Sequence, residues 1–306
     1  MGKVVVVGSF MTDLMSRTPH LPKPGETVMG GPFKLGPGGK GSNQAVACSR
    51  LGGEVWFVGC LGNDYFGQIA MNNFKENGIN TDFVRIVEGI HSGAALIMVS
   101  DETGENAIVV APGANSHLSP EDVDRALEVI KEADVVLTQF EIPEETVNHL
   151  AEVLPERVIF LVNPAPGRKI SDVVLKRADF IIPNESELEV ITGRKVETIE
   201  DAENAAKVLL DRGAKNVIVT LGNKGALWVS KKNTRHFQAF KVDVVDTTGA
   251  GDAFCGAFAF ALSNGENVEE AVVMANAAAA ISVTRIGTAP SMPTMSELKE
   301  FLSNQR

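Results

Sequence analysis

The stretch that does most to decide the fold is DTTGAGDAF, which spans residues 246–254. Its glycines let the backbone turn sharply, and the small apolar residues that follow predict a helix that starts inside the stretch. The free N–H groups of Gly249, Ala250 and Gly251 would then point out of a helix N-terminus. Such an N-terminus attracts anions, so the stretch predicts an anion-binding site.

Asp252 lies inside this predicted anion site, where a carboxylate would repel a bound anion. An aspartate in that place suits a general base, which removes the proton of a hydroxyl while the amides hold the phosphoryl group under attack. An isolated aspartate more often caps a helix. Here the flanking glycines and a second acid, Asp246, favour the catalytic interpretation.

Length and composition limit the kinds of partner that the chain can have. It has 306 residues, 44% of them hydrophobic and 22% charged, and a net charge of -11. An acidic chain without a stripe of Lys and Arg is a poor match for nucleic acid. No apolar run reaches the roughly 18 residues of a membrane span, and Met1 leads straight into a short strand, so we expect no membrane partner. The three cysteines lack C-x-x-C spacing, which predicts no zinc site and a reducing, cytoplasmic location.

Short apolar runs alternate with helical patterns along most of the chain. The runs lie at Val4–Val7, Val55–Val58, Val135–Leu137, Val158–Val162, Phe180–Ile182 and Val217–Leu221. Helical patterns lie between them, among them residues 64–77, 119–132 and 198–212. This alternation predicts an α/β fold: a doubly wound, mostly parallel sheet with helices on both faces.

Two segments, residues 12–36 and 93–111, break the alternation because neither contains a helical pattern. They predict a small β-sheet that forms a lid over the ligand, beside an α/β domain made of residues 1–11, 37–92 and 112–306. The outer face of such a lid must be covered. Pairing with a second copy is the simplest way, so we predict a homodimer through the lid.

A second glycine-rich stretch, GPGGKGSNQ, spans residues 36–44 and predicts a loop, followed by a helix at 45–51. Its glycines match G-x-G-x-x-G, but that dinucleotide-binding pattern should follow the first strand directly. A Walker A loop is excluded because a glycine follows Lys40. The stretch favours a backbone wall against a small polar ligand, with Lys40 and Asn43 as donors; a close-packed turn without a ligand is the alternative.

Two acids follow predicted buried strands, where open α/β sheets bind ligands. They are Asp13 and Glu141, and each alone could be a surface acid in a turn. Together, beside a donor-rich loop, they suit a polyhydroxylated substrate, because a carboxylate accepts hydrogen bonds from neighbouring hydroxyls.

Two further strand ends are candidates for nucleotide contacts. Asn184 and Glu187 follow the run at Phe180–Ile182 and either cap a helix or hold Mg²⁺ and phosphate through water. The turn at Thr220–Gly225 suits a hairpin and also a phosphate contact.

The stretches GGKGSN at 38–43 and DTTGAGD at 246–252 together resemble the ribokinase family of sugar kinases, and the resemblance covers essentially the whole chain. It implies ATP-dependent, Mg²⁺-assisted phosphorylation of the 5-hydroxyl of D-ribose, with Asp252 as the base and the Gly249–Gly251 amides as the anion hole. The alternatives are 2-deoxyribose or another sugar or nucleoside substrate of the family, and a non-catalytic sugar sensor. A dehydrogenase, which rests on the G-x-G-x-x-G match alone, is a third.

The resemblance also implies three sets of binding residues. The sugar contacts are Asp13, Gly39, Lys40, Asn43 and Glu141. The ATP contacts are Asn184, Glu187, Thr220, Gly222, Gly225 and Asn276. An activating K⁺ is expected at Asp246, Thr248, Ser282, Arg285, Gly287 and Ser291, with Arg285 and Gly287 contributing backbone carbonyls. The alternative at that site is an ion pair between Asp246 and a nearby Lys or Arg.

One position departs from the family pattern. Met11 stands in the segment SFMTD, residues 9–13, where ribokinases usually carry asparagine. An asparagine there would be left without a hydrogen-bond partner by a sugar that lacks the hydroxyl, and this would disfavour that sugar. A thioether is at best a weak acceptor, so Met11 does not impose this penalty. We therefore predict relaxed discrimination between ribose and 2-deoxyribose. Alternatively, Met11 points into the core and another group reads that hydroxyl.

Overall fold

The computed structural model describes residues 2–305. The strands within that range are β1 (Lys3–Val7), β2 (Met11–Thr18), β3 (Phe33–Gly38), β4 (Glu54–Gly62), β5 (Asn80–Val87), β6 (Ala94–Ser100), β7 (Asn106–Ala111), β8 (Val135–Thr138), β9 (Ile159–Val162), β10 (Phe180–Ile181), β11 (Asn216–Thr220), β12 (Ala226–Ser230) and β13 (Thr234–Phe237). The α-helices are α1 (Lys40–Arg50), α2 (Tyr65–Glu76), α3 (Pro120–Arg125), α4 (Leu127–Glu132), α5 (Glu144–Val153), α6 (Asp172–Arg177), α7 (Glu185–Thr192), α8 (Ile199–Asp211), α9 (Ala250–Ser263), α10 (Val268–Ser282) and α11 (Met295–Asn304).

Nine strands form one large sheet in the order β13-β12-β11-β10-β9-β8-β1-β4-β5. Its strands are parallel from β11 to β5, and β12 and β13 add an antiparallel edge. The chain order reverses between β1 and β8, which makes this pair the topological switch point. In open α/β sheets the ligand crevice lies outside the carboxyl ends of the strands at that point.

The large sheet is covered on both faces, as the sequence predicts. All four valines of β1 are fully buried. Val4 and Val6 pack in one core with helices that include α1, α9 and α10. Val5 and Val7 pack in a second core with helices from α3 to α8. This arrangement confirms the predicted α/β class and explains why β1 is a continuous apolar run.

A separate small sheet has the order β3-β2-β6-β7, in which β2 is antiparallel to β3 and parallel to β6. Its strands come from the two segments that the sequence set apart. They extend one or two residues beyond the predicted bounds, to Met11 and Gly38, because these two residues pair with each other.

Two sequence predictions of local structure were wrong in detail. The glycine-rich stretch 36–44 is not a loop: its first residues end β3 and α1 begins at Lys40, because pairing with the distant β2 extends the chain there. The helix predicted at 119–132 is two helices, α3 and α4, separated at Ala126. Within residues 2–305, no helix combines the length and apolar character needed to cross a bilayer.

Candidate active site

A cavity of about 130 Å³ lies at the carboxyl ends of β10 and β11, against the N-terminus of α9. It brings together predicted site residues from distant parts of the chain: Lys40, Asn184, Glu187, Thr220, Gly249, Ala250, Gly251 and Asp252. The cavity therefore joins the glycine-rich N-terminus of α9 to residues predicted for nucleotide and sugar.

Helix α9 begins with a left-handed glycine at this cavity. Gly249 has φ 80° and ψ 0°, a conformation that glycine adopts without strain, and no side chain caps the helix. The Ala250 N–H donates to Thr247 O over 3.3 Å, whereas the Gly251 N–H has no partner within residues 2–305. A Cβ on Gly251 would meet nothing within 4 Å. The first turn of α9 thus faces open space, as an anion hole requires.

Asp252 is buried at this N-terminus, and its carboxylate accepts hydrogen bonds from two side-chain amides. Asn43 Nδ2 donates to Oδ2 at 2.9 Å, and Gln44 Nε2 donates to Oδ1 at 3.0 Å. Both donors lie in the first turns of α1. The sequence predicted Asn43 as a sugar contact, and the structure places its amide nitrogen against the Asp252 carboxylate. The other end of that side chain, Asn43 Oδ1, is buried without a partner among residues 2–305.

Lys40 contributes the positive charge of the cavity. Burial alone would lower the pKa of its ammonium, but the carboxylates of Asp252, Glu141 and Glu187 outweigh burial and raise it above the usual 10.5. The ammonium is therefore charged at neutral pH. The sequence assigned Lys40 to the sugar; in the structure it shares the cavity with residues predicted for ATP.

Glu141 lies at the switch point, just after β8. Its Oε2 accepts a hydrogen bond of 2.5 Å from Ser9 Oγ, just after β1, and another of 2.9 Å from the backbone N–H of Lys40. One carboxylate thus ties the ends of the two central strands to the start of α1. Gly39, a further predicted sugar contact, is the residue that precedes this helix.

Asp13 lies in β2 of the small sheet, and its carboxyl contacts Thr288, which belongs to the chain after α10. Thr288 Oγ1 lies 3.3 Å from Asp13 Oδ2 and 2.9 Å from the backbone oxygen of Pro37, so the one hydroxyl proton is shared between these two acceptors. Burial raises the pKa of Asp13 to about 6; the Thr288 hydrogen bond opposes this shift, and the nearby charges of Glu141 and Asp252 add to it.

Met11 shares a face of β2 with Asp13, because the two are two residues apart in one strand. The side chain is buried, and its Sδ lies 3.6 Å from Asn115 Nδ2. The same Asn115 amide is anchored on the backbone carbonyl of Phe10 at 2.8 Å. Met11 therefore lies at the junction of the small sheet and the α/β body.

Asn184 and Glu187 form a capping box at the start of α7. Asn184 Oδ1 accepts from Glu187 N at 2.8 Å, and Glu187 Oε2 accepts from Asn184 N at 2.9 Å. Burial raises the pKa of Glu187 above its usual 4.5, although the Asn184 hydrogen bond and the charge of Lys40 oppose the shift. Thr220 pairs with Asn184 as an isolated bridge, which brings the two predicted ATP contacts together.

Three residues predicted to contact ATP do not line this cavity. Gly222 and Gly225 turn the chain between β11 and β12 with φ of 53° and 95°. Asn276 is buried in α10. The hairpin interpretation of the turn at Thr220–Gly225 thus describes its backbone, and its contact with a nucleotide stays a prediction.

The predicted cation loop is built around Asp246. Its carboxylate accepts from Thr248 N at 2.9 Å and from Gly287 N at 3.0 Å. Within residues 2–305 it forms no ion pair, and the Arg285 guanidinium is bound to Glu297 at 2.6 Å. Because the Arg285 side chain is bound elsewhere, only its backbone carbonyl is available to a cation at this loop. Two further predicted members, Ser282 and Ser291, are fully buried, and their hydroxyls donate to backbone carbonyls at 2.8 Å.

A larger depression of about 420 Å³ lies elsewhere, at the amino end of β11. It is lined by Lys215, Lys231 and Lys232 beside Trp228, and no carboxylate of the described residues lines it. Because ligand crevices of such sheets lie at the carboxyl ends, we place the chemistry in the smaller cavity.

Comparison with known proteins assigns the class of the protein. Residues 1–295 match the family described as pfkB family carbohydrate kinase. The chain therefore belongs to the pfkB family of carbohydrate kinases.

Similar proteins include two named relatives that align over nearly the full length. A deoxyribokinase from Salmonella typhi is 43% identical, and a ribokinase from Haemophilus influenzae is 41% identical; each alignment covers 98% of both chains. The crystal structure of a ribokinase from Thermotoga maritima matches with a TM-score of 0.91 at 41% identity, covering 99% of this chain and 100% of the other. The structure of an Arabidopsis thaliana ribokinase complexed with ribose and ATP gives 0.92 at 34% identity, covering 99% of each.

Sequence reasoning missed several residues that the site uses. Gln44 and Ser9 contact the predicted acids directly, and Thr288 holds Asp13. Glutamine, serine and threonine are common in helices and turns, so no local sequence pattern identifies these three residues as part of a site. The one available signal was the position of Gln44 next to Asn43, on a helix that starts at the glycine-rich stretch.

Proposed function

We propose that the protein transfers the γ-phosphoryl group of ATP to the 5-hydroxyl of D-ribose. The observation that carries the proposal is a carboxylate, Asp252, at the uncapped N-terminus of α9, in one cavity with Lys40 and Glu187. Relatives named ribokinase and a solved ribokinase with ribose and ATP support this choice of substrates.

The chemistry follows from the positions of these groups. Asp252 takes the proton from the sugar hydroxyl as it attacks. The amides of Gly249, Ala250 and Gly251, with the Lys40 ammonium, stabilise the charge that develops on the transferred group. Asp13 and Glu141 accept hydrogen bonds from the other sugar hydroxyls. The small sheet closes over the sugar and excludes water, which prevents hydrolysis of ATP.

The cavity fits Mg²⁺ bound mainly through phosphate. Within residues 2–305 no three His, Cys, Asp or Glu side chains are arranged to chelate a metal. Mg²⁺ keeps several waters and takes few protein ligands beside phosphates, and Asn184 and Glu187 offer oxygens for such a water-mediated contact. Bound there, the ion would neutralise phosphate charge.

The loop of Asp246 fits a monovalent cation such as K⁺. An ionised carboxylate that is held by two backbone N–H groups, and by no Lys or Arg in the described chain, leaves oxygen lone pairs for a cation. The ion would hold the loop that leads into α9 and would not touch the sugar.

We propose further that 2-deoxyribose is phosphorylated usefully. Met11 lies on the same face of β2 as Asp13, and the similarity to a deoxyribokinase supports the idea. We expect kcat/KM for ribose and 2-deoxyribose to differ by less than about 10³-fold, because no polar group at position 11 is left unpaired. Met11→Asn should move the ratio toward ribose. An unchanged ratio would assign the choice to another residue.

A homodimer through the small sheet completes the proposal. Leu35, Leu14, Leu96 and Val109 lie directly opposite one another across the four strands, on the face away from Asp13. Leu96 and Val109 are 51% and 62% exposed in the single chain. An apolar row of this kind is suited to pairing with its own copy. The protein is proposed to work in the cytoplasm.

A substrate panel tests the proposal directly. Purified protein is supplied with ATP, Mg²⁺ and K⁺ and with single pentoses, hexoses or nucleosides, and ADP release is followed. Ribose should give the highest kcat/KM, with 2-deoxyribose next. A sensor would bind a sugar without releasing ADP, and preference for a hexose or nucleoside would overturn the ribose assignment.

A further inference from the structure

A chain of side-chain amides connects Asp252 to the interior of the large sheet. Gln44 Nε2 donates to Asp252 Oδ1 at 3.0 Å and to Asn163 Oδ1 at 3.1 Å. Gln139 Nε2 donates to Gln44 Oε1 at 2.7 Å. Asn163 Nδ2 donates to the backbone carbonyl of Ile182 at 2.8 Å. All three amide side chains are buried, so water does not replace these partners.

The order of donors and acceptors gives the Gln44 amide one orientation. A carbonyl only accepts, so Ile182 O must meet Asn163 Nδ2, which turns Asn163 Oδ1 toward Gln44. Gln44 must then present Nε2 to Asn163 and Asp252, and its Oε1 is left for the Gln139 amide. A flipped Gln44 would place its oxygen against a carboxylate and against another carbonyl oxygen.

This orientation matters because Asp252 is buried among other charged groups. The titratable groups that face it are Lys40 from α1, Asp13 from β2, Glu187 from α7 and Cys255 from α9 itself. Of these, the Lys40 ammonium attracts the Asp252 carboxylate, and the carboxylates of Asp13 and Glu187 repel it. Hydrogen bonds to a carboxylate favour its charged form, and here they come from Asn43 and Gln44.

The backbone also holds Gln44 against the base. Helices α1 and α9 pack closely where Gly256 lies, since a Cβ there would stand 2.5 Å from the backbone oxygen of Gln44. The distance between the two helices is therefore set by a glycine, one turn beyond Asp252.

We propose that Gln44 is a positioning residue for phosphoryl transfer: it holds the Asp252 carboxylate in place and stabilises its negative charge with a hydrogen bond, and Gln139 keeps the Gln44 amide turned toward it. The inference rests on the proposed role of Asp252 as the base. Gln44 itself does not touch the reacting atoms.

Gln44→Met tests the inference, because methionine keeps the length of the side chain and removes both polar atoms. We expect kcat to fall about 10–100-fold, the range that corresponds to the loss of one hydrogen bond to a charged group. The acidic limb of the kcat–pH profile should move to higher pH by about one unit, since the ionised base loses a donor. The KM values for ATP and sugar should change less than kcat. Gln68→Met, at an exposed glutamine that bonds Asn72, is the control and should behave as wild type.

Gln139→Met is the second variant, one step removed from Asp252. It should move the acidic limb in the same direction but less, and the double variant should be no worse than Gln44→Met alone, since both act through one contact. If Gln44→Met does not fold, the shift in Gln139→Met decides the question. A wild-type acidic limb in the folded variants, whatever their kcat or Tm, would overturn the inference.

Asp252→Asn distinguishes a failure of the proposed mechanism from a failure of the proposed role of Gln44. Near-normal turnover in that variant would mean that Asp252 is not the base, and the proposed mechanism would fail first. An inactive Asp252→Asn beside an unshifted Gln44→Met would overturn the Gln44 inference alone.

Discussion

Single carboxylates of the site respond differently to burial. Burial raises the pKa of Asp13 to about 6, because the single hydrogen bond with Thr288 offsets little of the unfavourable free energy of burying a charge. Burial also acts on Asp246, but hydrogen bonds from the backbone of Gly287 and Thr248 outweigh it and lower its pKa. Asp13 therefore changes charge in mildly acidic solution, and Asp246 stays ionised.

This difference predicts the pH dependence of sugar recognition. An ionised carboxylate is a stronger acceptor for hydroxyls than a protonated one. We expect kcat/KM for ribose to rise as the pH increases through about 6, the pKa of Asp13. Asp13→Asn should lower kcat/KM and remove this step. A step of equal size in the variant would assign it to another group.

Asp13 should also affect stability. The usual pKa of an aspartate is 3.8 and that of Asp13 in the fold is about 6, so between these values the folded protein binds a proton that the unfolded chain releases. The free energy of unfolding then falls as the pH rises through this window, by up to about 3 kcal/mol. Urea unfolding at several pH values measures it. Asp13→Asn should lack the fall; a parallel dependence in both proteins would contradict the assignment.

At the scale of elements, local chemistry was predictable and distant pairing was not. The helix predicted at 198–212 and the helix N-terminus at Gly249 follow from residues a few positions apart, and both form as expected. The stretch 36–44 has the composition of a loop, and its first residues form a strand only through pairing with β2. A break at Ala126 likewise has no local signal.

The left-handed glycine that starts α9 gives a test at this scale. Gly249→Ala places a Cβ at φ 80°, and it would stand 3.3 Å from Thr288. Gly265→Ala is the matched control, with φ 84° and open space around the Cβ. Each should lose about 1–2 kcal/mol of stability from strain, measured by urea unfolding. Turnover should fall in Gly249→Ala alone; equal activity would mean that the Gly249 backbone does not shape the anion hole.

The loop of Asp246 predicts activation by K⁺. Turnover should rise severalfold when K⁺ replaces Na⁺ at constant ionic strength, because the larger ion orders the loop that leads into α9. Asp246→Asn should remove the response, since a neutral amide attracts the ion less. Activity that is equal in both salts would mean that no cation acts at this loop.

For the whole molecule, the exposed apolar row on the small sheet predicts the oligomeric state. Sedimentation should show a dimer for the wild type and a monomer for Leu96→Asp, because the charge would be buried in the pair. Ile86→Asp, at a similarly exposed residue of the edge strand β5, is the control and should remain dimeric. A dimeric Leu96→Asp would place the interface elsewhere.

Within the candidate site, sequence patterns identify the acids but not the residues that contact them. The acids Asp13, Asp246 and Asp252 stand next to glycines or strand ends and could be found from patterns. Their partners could not, because Gln44 and Thr288 meet them only through the packing of α1 and the chain after α10. The fold brings both sets to one edge of the sheet.

The turnover of Asp252→Asn decides whether Asp252 acts as the base. Asparagine keeps the size of the side chain and one of the two acceptor oxygens, but it cannot accept the proton. Binding of ribose and ATP, measured by calorimetry, should change little, while kcat with ribose should fall by about 10²–10⁴-fold, the usual contribution of a general base. A variant that binds both substrates and turns over at nearly the wild-type rate would mean that Asp252 is not the base.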